Sequence, residues 1–348
     1  MSDFAQTGLI TTLQRLNDSH LDALETELCA LVVERPIALV LPCHAAELER
    51  PALAHIVTEL SGAKWIHEIV VSMNGPDETA HARAGEFFAR MPQRVRVLWN
   101  NPAGESSAPR AGKGANVAAA FRLLGGEKDV AIFATQDCDV ASFRRQDLAR
   151  LCYAVAQPQF GYAFAKAYYS RVTDRLYGRV TRLFLAPLLH ACVRVAGHHP
   201  LLDFLLSFRY PLSGEIALTR EVAAALPIAP GWGLELAMLC DVFRHLDPRT
   251  VCQVDGGPGY DHKHQPAATA LADMAAEIAA ELFLQLAAEG LPQTADFRAA
   301  IAAAYQREAA LALRRSAALA KMNALPFDEP AESKIVTEFA ARLWSAAA

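Results

Sequence analysis

Short apolar segments alternate with helical segments over the first 140 residues of this 348-residue chain. Four segments rich in Val, Ile and Leu lie at 36–43, 67–73, 94–99 and 129–135, with helical periodicity between them. Short apolar runs bounded by turn residues are typical of strands that are buried on both faces of a sheet. Their alternation with helices predicts βαβ units, and therefore an α/β fold whose mainly parallel sheet is flanked by helices.

The pattern changes towards both ends of the chain. Residues 1–35 predict an N-terminal helical arm, and the Ala-rich residues 266–348 predict a C-terminal helical extension. Residues 36–265 between them form the predicted α/β domain. Its second part and the extension contain less regular signals. These predict strands near 161–166, 215–218 and 251–254, a long helix over 173–195, and a linker at 323–334.

The composition limits the classes of protein to which the chain can belong. A hydrophobic fraction of 53% excludes a disordered chain, and a net charge of −5 argues against a general nucleic-acid binder. Seven cysteines without a CxxC pair are typical of reduced thiols, and the start of the chain lacks the pattern of a secretory signal. The most apolar stretch, 183–197, is interrupted by Pro187, His190 and Arg194. We therefore expect a cytoplasmic protein that does not span a membrane.

Polar residues directly after the predicted strands are candidates for a site, because ligands of such sheets bind at the carboxyl ends of the strands. They are His44, Glu47, Ser72, Asn74 and residues 136–139. Asp137 and Asp139 lie two apart on an extended segment, so their side chains point the same way. Two such carboxylates can share Mg²⁺ or Mn²⁺, which take oxygen ligands. The alternative is a helix cap and a solvated turn.

Two further segments contain basic residues beside glycine. Lys113 lies in the sequence GKG before a predicted helix, where glycine lets the backbone approach an anion. Arg179 lies in GRVT at 178–181, and arginine is suited to bidentate recognition of phosphate or carboxylate. The alternatives are a flexible turn with a solvated lysine and a surface arginine on a helix.

Three later segments combine glycine, aromatic, acidic and histidine residues. PLSGE at 211–215 and GWGLE at 231–235 place glycine near a carboxylate, and Trp232 beside Glu235 is an arrangement that suits a sugar. Glu235 is alternatively a first-turn glutamate that complements a helix dipole. His262 and His264 alternate in DHKHQP, so one could face a metal and the other an anion. The alternative is a solvated turn.

The order of these segments is more specific than any one of them. The run PCHAAE, GKG, DCD, GRVT, PLSGE, GWGLE and DHKHQP resembles the GT-A glycosyltransferases that form glucosyl-3-phosphoglycerate. Related mannosylglycerate synthases look similar in GKG, D-x-D, PLxGE and WG. The resemblance covers about residues 36–270. It implies a GT-A (Rossmann-like) catalytic domain, with a nucleotide-sugar half over 36–140 and an acceptor half over 141–265.

The resemblance also implies a role for each matching position. The metal ligands would be Asp137, Asp139 and His262. The donor would be bound by Pro42, Cys43, His44, Glu47, Ser72, Lys113, Asp137, Cys138, Gly214 and Glu235. The acceptor would be bound by Gly178, Arg179, Thr181 and His264. Asp139, Glu235 and Arg179 would be the catalytic residues.

The implied reaction moves glucose from a nucleotide-diphosphate sugar to the 2-hydroxyl of 3-phosphoglycerate, with UDP-glucose as the leading candidate for the donor. It retains the configuration of the anomeric carbon and depends on Mg²⁺ or Mn²⁺. One alternative keeps the fold but uses GDP-mannose as donor or glycerate as acceptor. More distant alternatives are a nucleotidyltransferase, which also uses a metal and carboxylates, and a non-catalytic helical adaptor. The long C-terminal helices and the 183–197 stretch favour a homodimer.

Overall fold

The computed structural model describes residues 8–18, 20–74, 78–100, 112–229, 231–261 and 268–347. Eight strands of the described chain form one sheet in the order β1-β8-β6-β7-β5-β2-β3-β4. Their bounds are β1 (Thr11–Leu13), β2 (Ile37–His44), β3 (Ile66–Asn74), β4 (Arg94–Trp99), β5 (Ile132–Thr135), β6 (Phe164–Ser170), β7 (Ile216–Thr219) and β8 (Val251–Pro258). Only β7 among them runs antiparallel to its neighbours, β5 and β6. The predicted mainly parallel α/β sheet is confirmed.

Helices cover both faces of the sheet. They are α1 (Leu21–Leu31), α2 (Pro51–Ser61), α3 (Glu78–Phe88), α4 (Lys113–Gly125), α5 (Arg145–Ala156), α6 (Ala186–Ala196), α7 (Pro200–Leu206), α8 (Arg220–Ala225), α9 (Leu234–His245), α10 (Ala268–Ala288), α11 (Ala295–Met322) and α12 (Glu329–Ala347). A π-helical segment, Val180–Leu185, leads directly into α6. The most apolar stretch of the sequence is therefore a buried helix, with Leu183, Leu188 and Cys192 inaccessible to solvent.

The two faces of the sheet have separate apolar cores. Helices α1, α2, α3 and α5 pack on one face, and α4, α6, α7 and α9 pack on the other. The C-terminal helices α10, α11 and α12 join the second core through buried residues such as Leu282, Tyr305 and Phe339. Tyr305 also donates a hydrogen bond to the Leu183 carbonyl at 2.9 Å. The C-terminal extension is thus part of the packing that supports the segment 180–196.

Three elements differ from the sequence-based expectations. The N-terminal arm contains β1, whose backbone pairs with β8 and covers what would otherwise be an open edge of the sheet. The long helix expected over 173–195 begins only at Val180, because Gly178 has a φ of 69°. Helix α12 begins at Glu329, so the linker after α11 is shorter than expected.

No helix within the described ranges combines the length and the apolar character of a membrane-spanning segment. All seven cysteines fall in these ranges, and none of them forms a disulfide.

Candidate active site

A cavity of about 450 Å³ lies at the carboxyl ends of the central strands. Residues at the ends of β2, β5 and β6 form its floor, the GRVT segment forms one side, and α10 forms another side. The lining residues are Pro42, Cys43, His44, Glu47, Gly112, Lys113, Asn116, Asp137, Cys138, Asp139, Tyr169, Arg171, Tyr177, Gly178, Arg179, Val180, Thr181, Tyr210, Leu212, Trp232, Glu235, Leu271, Met274 and Ile278. After the roles that the motif resemblance implies, we call the part around Asp137 and Lys113 the donor end, and the part around Gly178 and Arg179 the acceptor end.

Lys113 is the centre of charge at the donor end. Its Nζ lies 2.6 Å from Asp137 Oδ1 and 3.0 Å from Glu235 Oε1. Burial lowers the pKa of Lys113, but the carboxylates of Asp137 and Glu235 outweigh burial and hold this pKa well above its ordinary value. The ammonium is therefore charged and fixed between two acidic side chains.

Gly214 lets this cluster form. A Cβ added at Gly214 would lie 2.0 Å from Lys113 Nζ and 2.9 Å from both Asp137 carboxylate oxygens. Any side chain there would displace the ammonium. Gly214 therefore contributes to the donor end through close packing, although it does not itself line the cavity.

Glu215 lies beneath the donor end and is buried. Tyr169 donates to its Oε2 at 2.9 Å, Tyr260 donates to its Oε1, and the two tyrosine rings stack with centroids 3.6 Å apart. Burial and the nearby Asp137 raise the pKa of Glu215 above its ordinary value. Because the Glu215 carboxyl group is held by two phenols below the cavity, we interpret it as part of the supporting floor.

Lys166, on β6, is buried in the same floor. Its Nζ donates to the Ser213 carbonyl at 2.6 Å, and burial lowers its pKa to about 8. The bond holds the PLSGE segment, and hence Gly214, against the sheet.

The acceptor end is built on a tight backbone turn. Gly178 has a φ of 69°, and a Cβ added to it would lie 3.4 Å from the Tyr210 hydroxyl. Arg179 and Thr181 follow and line the cavity, as does Arg171 from the end of β6. Arg179 Nε donates to Glu332 Oε1 at 2.7 Å, so a residue of the C-terminal helix α12 touches this end of the site.

An apolar wall, formed by α10, closes another side of the cavity. Leu271, Met274 and Ile278 lie on one face of α10 and line the cavity with Trp232, which is 45% exposed. The GWG segment packs closely on this helix, since a Cβ at Gly233 would lie 2.8 Å from Glu281 Cβ. The C-terminal extension therefore supplies part of the site.

Most of the predicted site residues line this one cavity. They are Pro42, Cys43, His44, Glu47, Lys113, Asp137, Cys138, Asp139, Gly178, Arg179, Thr181 and Glu235. Ser72 does not line the cavity; it is buried and donates to the backbone carbonyl of Asn116, which does. His262 and His264 lie outside the described residues. Within the described ranges, no group of three or more His, Cys, Asp or Glu side chains is arranged around a common metal position.

The sequence interpretation missed several lining residues. Arg171 follows β6 directly, and the strand-end rule that selected Asp137 would have selected it had β6 been expected to extend beyond residue 166. Tyr210 begins the segment that continues as PLSGE, but no feature of the sequence assigned it a role of its own. Leu271, Met274 and Ile278 share the i, i+3, i+7 spacing of an ordinary packing face, so their sequence carries no separate signal.

No protein-family model matches the chain. A curated relative, the glucosyl-3-phosphoglycerate synthase of Persephonella marina, is 36% identical over 296 residues, which are 80% of this chain and 73% of the relative. The chain belongs to the glucosyl-3-phosphoglycerate synthase family. This confirms the resemblance found in the motifs and the prediction that the protein is an enzyme of this family.

Solved structures of a glucosyl-3-phosphoglycerate synthase share the fold. The Mycobacterium tuberculosis enzyme in complex with Mg²⁺ and UDP has a TM-score of 0.62 and 26% identity, over 82% of this chain and 88% of that one. The same enzyme in complex with Mn²⁺, UDP-glucose and phosphoglyceric acid has a TM-score of 0.61 and 25% identity, over 81% and 88%. The likeness to these structures therefore extends over about four fifths of the chain.

Proposed function

We propose that this protein transfers glucose from UDP-glucose to the 2-hydroxyl of 3-phosphoglycerate, with retention at the anomeric carbon and with Mg²⁺ or Mn²⁺. The observation that carries the proposal is the single cavity that joins the DCD carboxylates to the GRVT arginine. A transferase of two anionic substrates needs such an arrangement, with one charged end for each substrate. The solved structure of a Mycobacterium tuberculosis family member in complex with Mn²⁺, UDP-glucose and phosphoglyceric acid supports the same donor and acceptor.

The donor end suits a metal-bound diphosphate. Asp137 and Asp139 offer carboxylate oxygens, the ligands that Mg²⁺ and Mn²⁺ prefer, and His262 is the proposed third ligand. The bound metal supplies electrostatic stabilisation of the charge that develops on the leaving diphosphate. Lys113, at the amino-terminal end of α4, adds a positive side chain where a helix terminus already favours anions.

The acceptor end suits a phosphate and a carboxylate. Arg171, Arg179 and Thr181 place two guanidinium groups and a hydroxyl on one side of the cavity. Guanidinium groups bind both kinds of anion through paired hydrogen bonds. Holding the acceptor by its charged ends directs its 2-hydroxyl towards the donor, and orientation of this kind lowers the barrier by several kcal/mol.

The proposed chemistry needs no protein nucleophile. Asp137 is a proposed metal ligand and the Glu235 carboxylate is paired with Lys113, so neither is assigned as a nucleophile. In a front-face route, the bond from the anomeric carbon to the UDP oxygen breaks and the bond to the acceptor oxygen forms on the same face. The acceptor hydroxyl proton passes to the departing diphosphate.

The test is turnover of UDP-glucose with 3-phosphoglycerate and Mn²⁺, followed by UDP release and by mass spectrometry of the product. We expect one glucosyl-3-phosphoglycerate per UDP, an α-anomeric signal by NMR, and loss of turnover with EDTA. If the enzyme prefers GDP-mannose or ADP-glucose, the proposed donor is wrong. If it prefers free glycerate, the proposed acceptor is wrong. Release of pyrophosphate would indicate a nucleotidyltransferase instead. A homodimer and a cytoplasmic location remain predictions.

A further inference from the structure

Glu332 of α12 connects the C-terminal extension to the acceptor end. Its Oε1 accepts a hydrogen bond from Arg179 Nε at 2.7 Å, and its Oε2 accepts one from Arg182 Nη2. The Glu332 side chain is only 5% exposed. One buried carboxylate, about 150 residues away in sequence, thus joins two arginines of the GRVT region.

Helix α12 holds Glu332 in place through its apolar face. Ile335, Phe339 and Leu343 are buried and lie on the same side of the helix as Glu332. The Phe339 ring packs against Phe184, with centroids 5.2 Å apart. Because Phe184 belongs to the same π-helical segment as Arg182, the helix that carries the glutamate is fixed to the segment that carries its partner.

The two arginines have different roles. Arg182 is fully used inside the protein: it donates to the carbonyls of Tyr177 at 3.0 Å and Leu176 at 3.3 Å and to Ser316 Oγ at 3.1 Å. Arg179 lines the cavity, and no described residue accepts a hydrogen bond from its two Nη groups. Its bond to Glu332 uses only the Nε side of the guanidinium, so the Nη side remains available for an anion.

We infer that Glu332 is a positioning residue for the acceptor: it fixes the Arg179 guanidinium by Nε and leaves the Nη edge for the phosphate or carboxylate. This rests on the proposed function, in which Arg179 binds the acceptor. The carboxylate is buried and shared, so substrate does not displace it, since loss of a buried partner leaves charged arginines unpaired. The two arginines and the glutamate together keep one net positive charge beside the acceptor.

The experiment compares Glu332→Gln and Glu332→Asp with a matched control, Glu308→Gln. Glu308, on α11, is also a buried glutamate of the extension, and it pairs with Arg194 at 2.9 Å, outside the cavity lining. We expect E332Q to raise the KM for 3-phosphoglycerate about tenfold, as for loss of one charged hydrogen bond. The KM for UDP-glucose should stay within about twofold, and E332D should recover part of the loss. E308Q should lower the melting temperature, though less than E332Q because its partner Arg194 is 57% exposed, and it should leave both KM values unchanged.

Several outcomes would overturn the inference. An E332Q variant with unchanged acceptor KM, or with both KM values raised equally, would make Glu332 purely structural. A lower acceptor KM would mean that Glu332 competes with the acceptor. A second readout, stabilisation of the donor-free protein by 3-phosphoglycerate in thermal unfolding, should be retained in E308Q and largely lost in E332Q. If the wild type shows neither turnover nor this stabilisation, the proposed acceptor fails, and the inference fails with it. If the wild type turns over and E332Q has the same KM values as E308Q, the inference fails while the proposed function stands.

Discussion

The donor and acceptor ends of the cavity are built in different ways. The donor end comes from strand termini and short turns: Asp137 follows β5, Lys113 opens α4, and Gly214 precedes β7. The acceptor end depends on the loop 171–179. Arg179, at the end of this loop, bonds to Glu332 of α12, and the nearby Arg182 bonds to Ser316 of α11. The sheet therefore fixes the first end, whereas long-range packing fixes the second. Damage to α11 and α12 should consequently affect the acceptor more than the donor.

Asp139→Asn provides the strongest test of the donor end. We expect a loss in kcat of at least about a thousandfold, because a metal-ligating carboxylate acts on the charge that develops at the leaving group. The measurement is UDP release at saturating substrates and Mn²⁺. Asp129→Asn is the matched control. Asp129 is exposed and precedes the start of β5, whereas Asp139 follows the end of this strand. Near-wild-type turnover by D139N would remove the metal role of this residue.

Arg179→Ala tests the acceptor end with the next largest effect. Removal of a guanidinium that binds an anion should raise the KM for 3-phosphoglycerate by about 10- to 100-fold, with little change in the KM for UDP-glucose. Arg175→Ala is the control: Arg175 lies in the same loop, pairs with Asp174 and is not part of the cavity lining. A change of similar size in both KM values would contradict the assignment of Arg179 to the acceptor alone.

The same division explains what the sequence could predict. Asp137 and Asp139 were found because strand ends in a parallel sheet converge, a rule that needs only local periodicity. Glu332 could not be found, because its partner Arg179 is reached only after α10, α11 and α12 have packed against the sheet. The expected helix over 173–195 also failed at this end, since a single glycine with positive φ ends the regular backbone. Local rules thus predicted which residues meet at the donor end of the cavity, whereas those at the acceptor end were indicated only by their motif.

Two glycines sharpen the comparison with smaller effects. Gly214→Ala should displace the Lys113 ammonium and raise the KM for UDP-glucose several-fold, because the added Cβ would lie 2.0 Å from Nζ. Gly178→Ala should strain a backbone with a φ of 69°, at a cost of about 1 kcal/mol, and raise the acceptor KM instead. Gly161→Ala controls for strain alone, since its φ is 70° and it lies in a surface turn. The division would be contradicted if G214A changed mainly the acceptor KM.

Lys166 gives the smallest effect, and it concerns stability. Burial lowers the pKa of Lys166 to about 8, whereas its ordinary value is 10.5. Between these values the unfolded chain binds more protons than the folded one, so this group makes the free energy of unfolding rise with pH. Relative to Lys166→Met, the wild type should therefore gain stability from pH 8 to pH 10, by at most about 1.4 kcal/mol per pH unit.

The difference between the two chains is the quantity to measure, by denaturant unfolding at pH 7.5, 8.5 and 9.5. Burial raises the pKa of thiols such as Cys152 and Cys252, which makes stability fall over the same interval. That contribution is common to both proteins and cancels. A pH-independent difference would mean that Lys166 stays charged beneath the donor end, held by Glu235 and Glu215 more strongly than burial opposes it. The floor of the donor end would then be an ionic network in addition to the hydrogen bond to Ser213, and substitutions at Glu215 should weaken donor binding as well as folding.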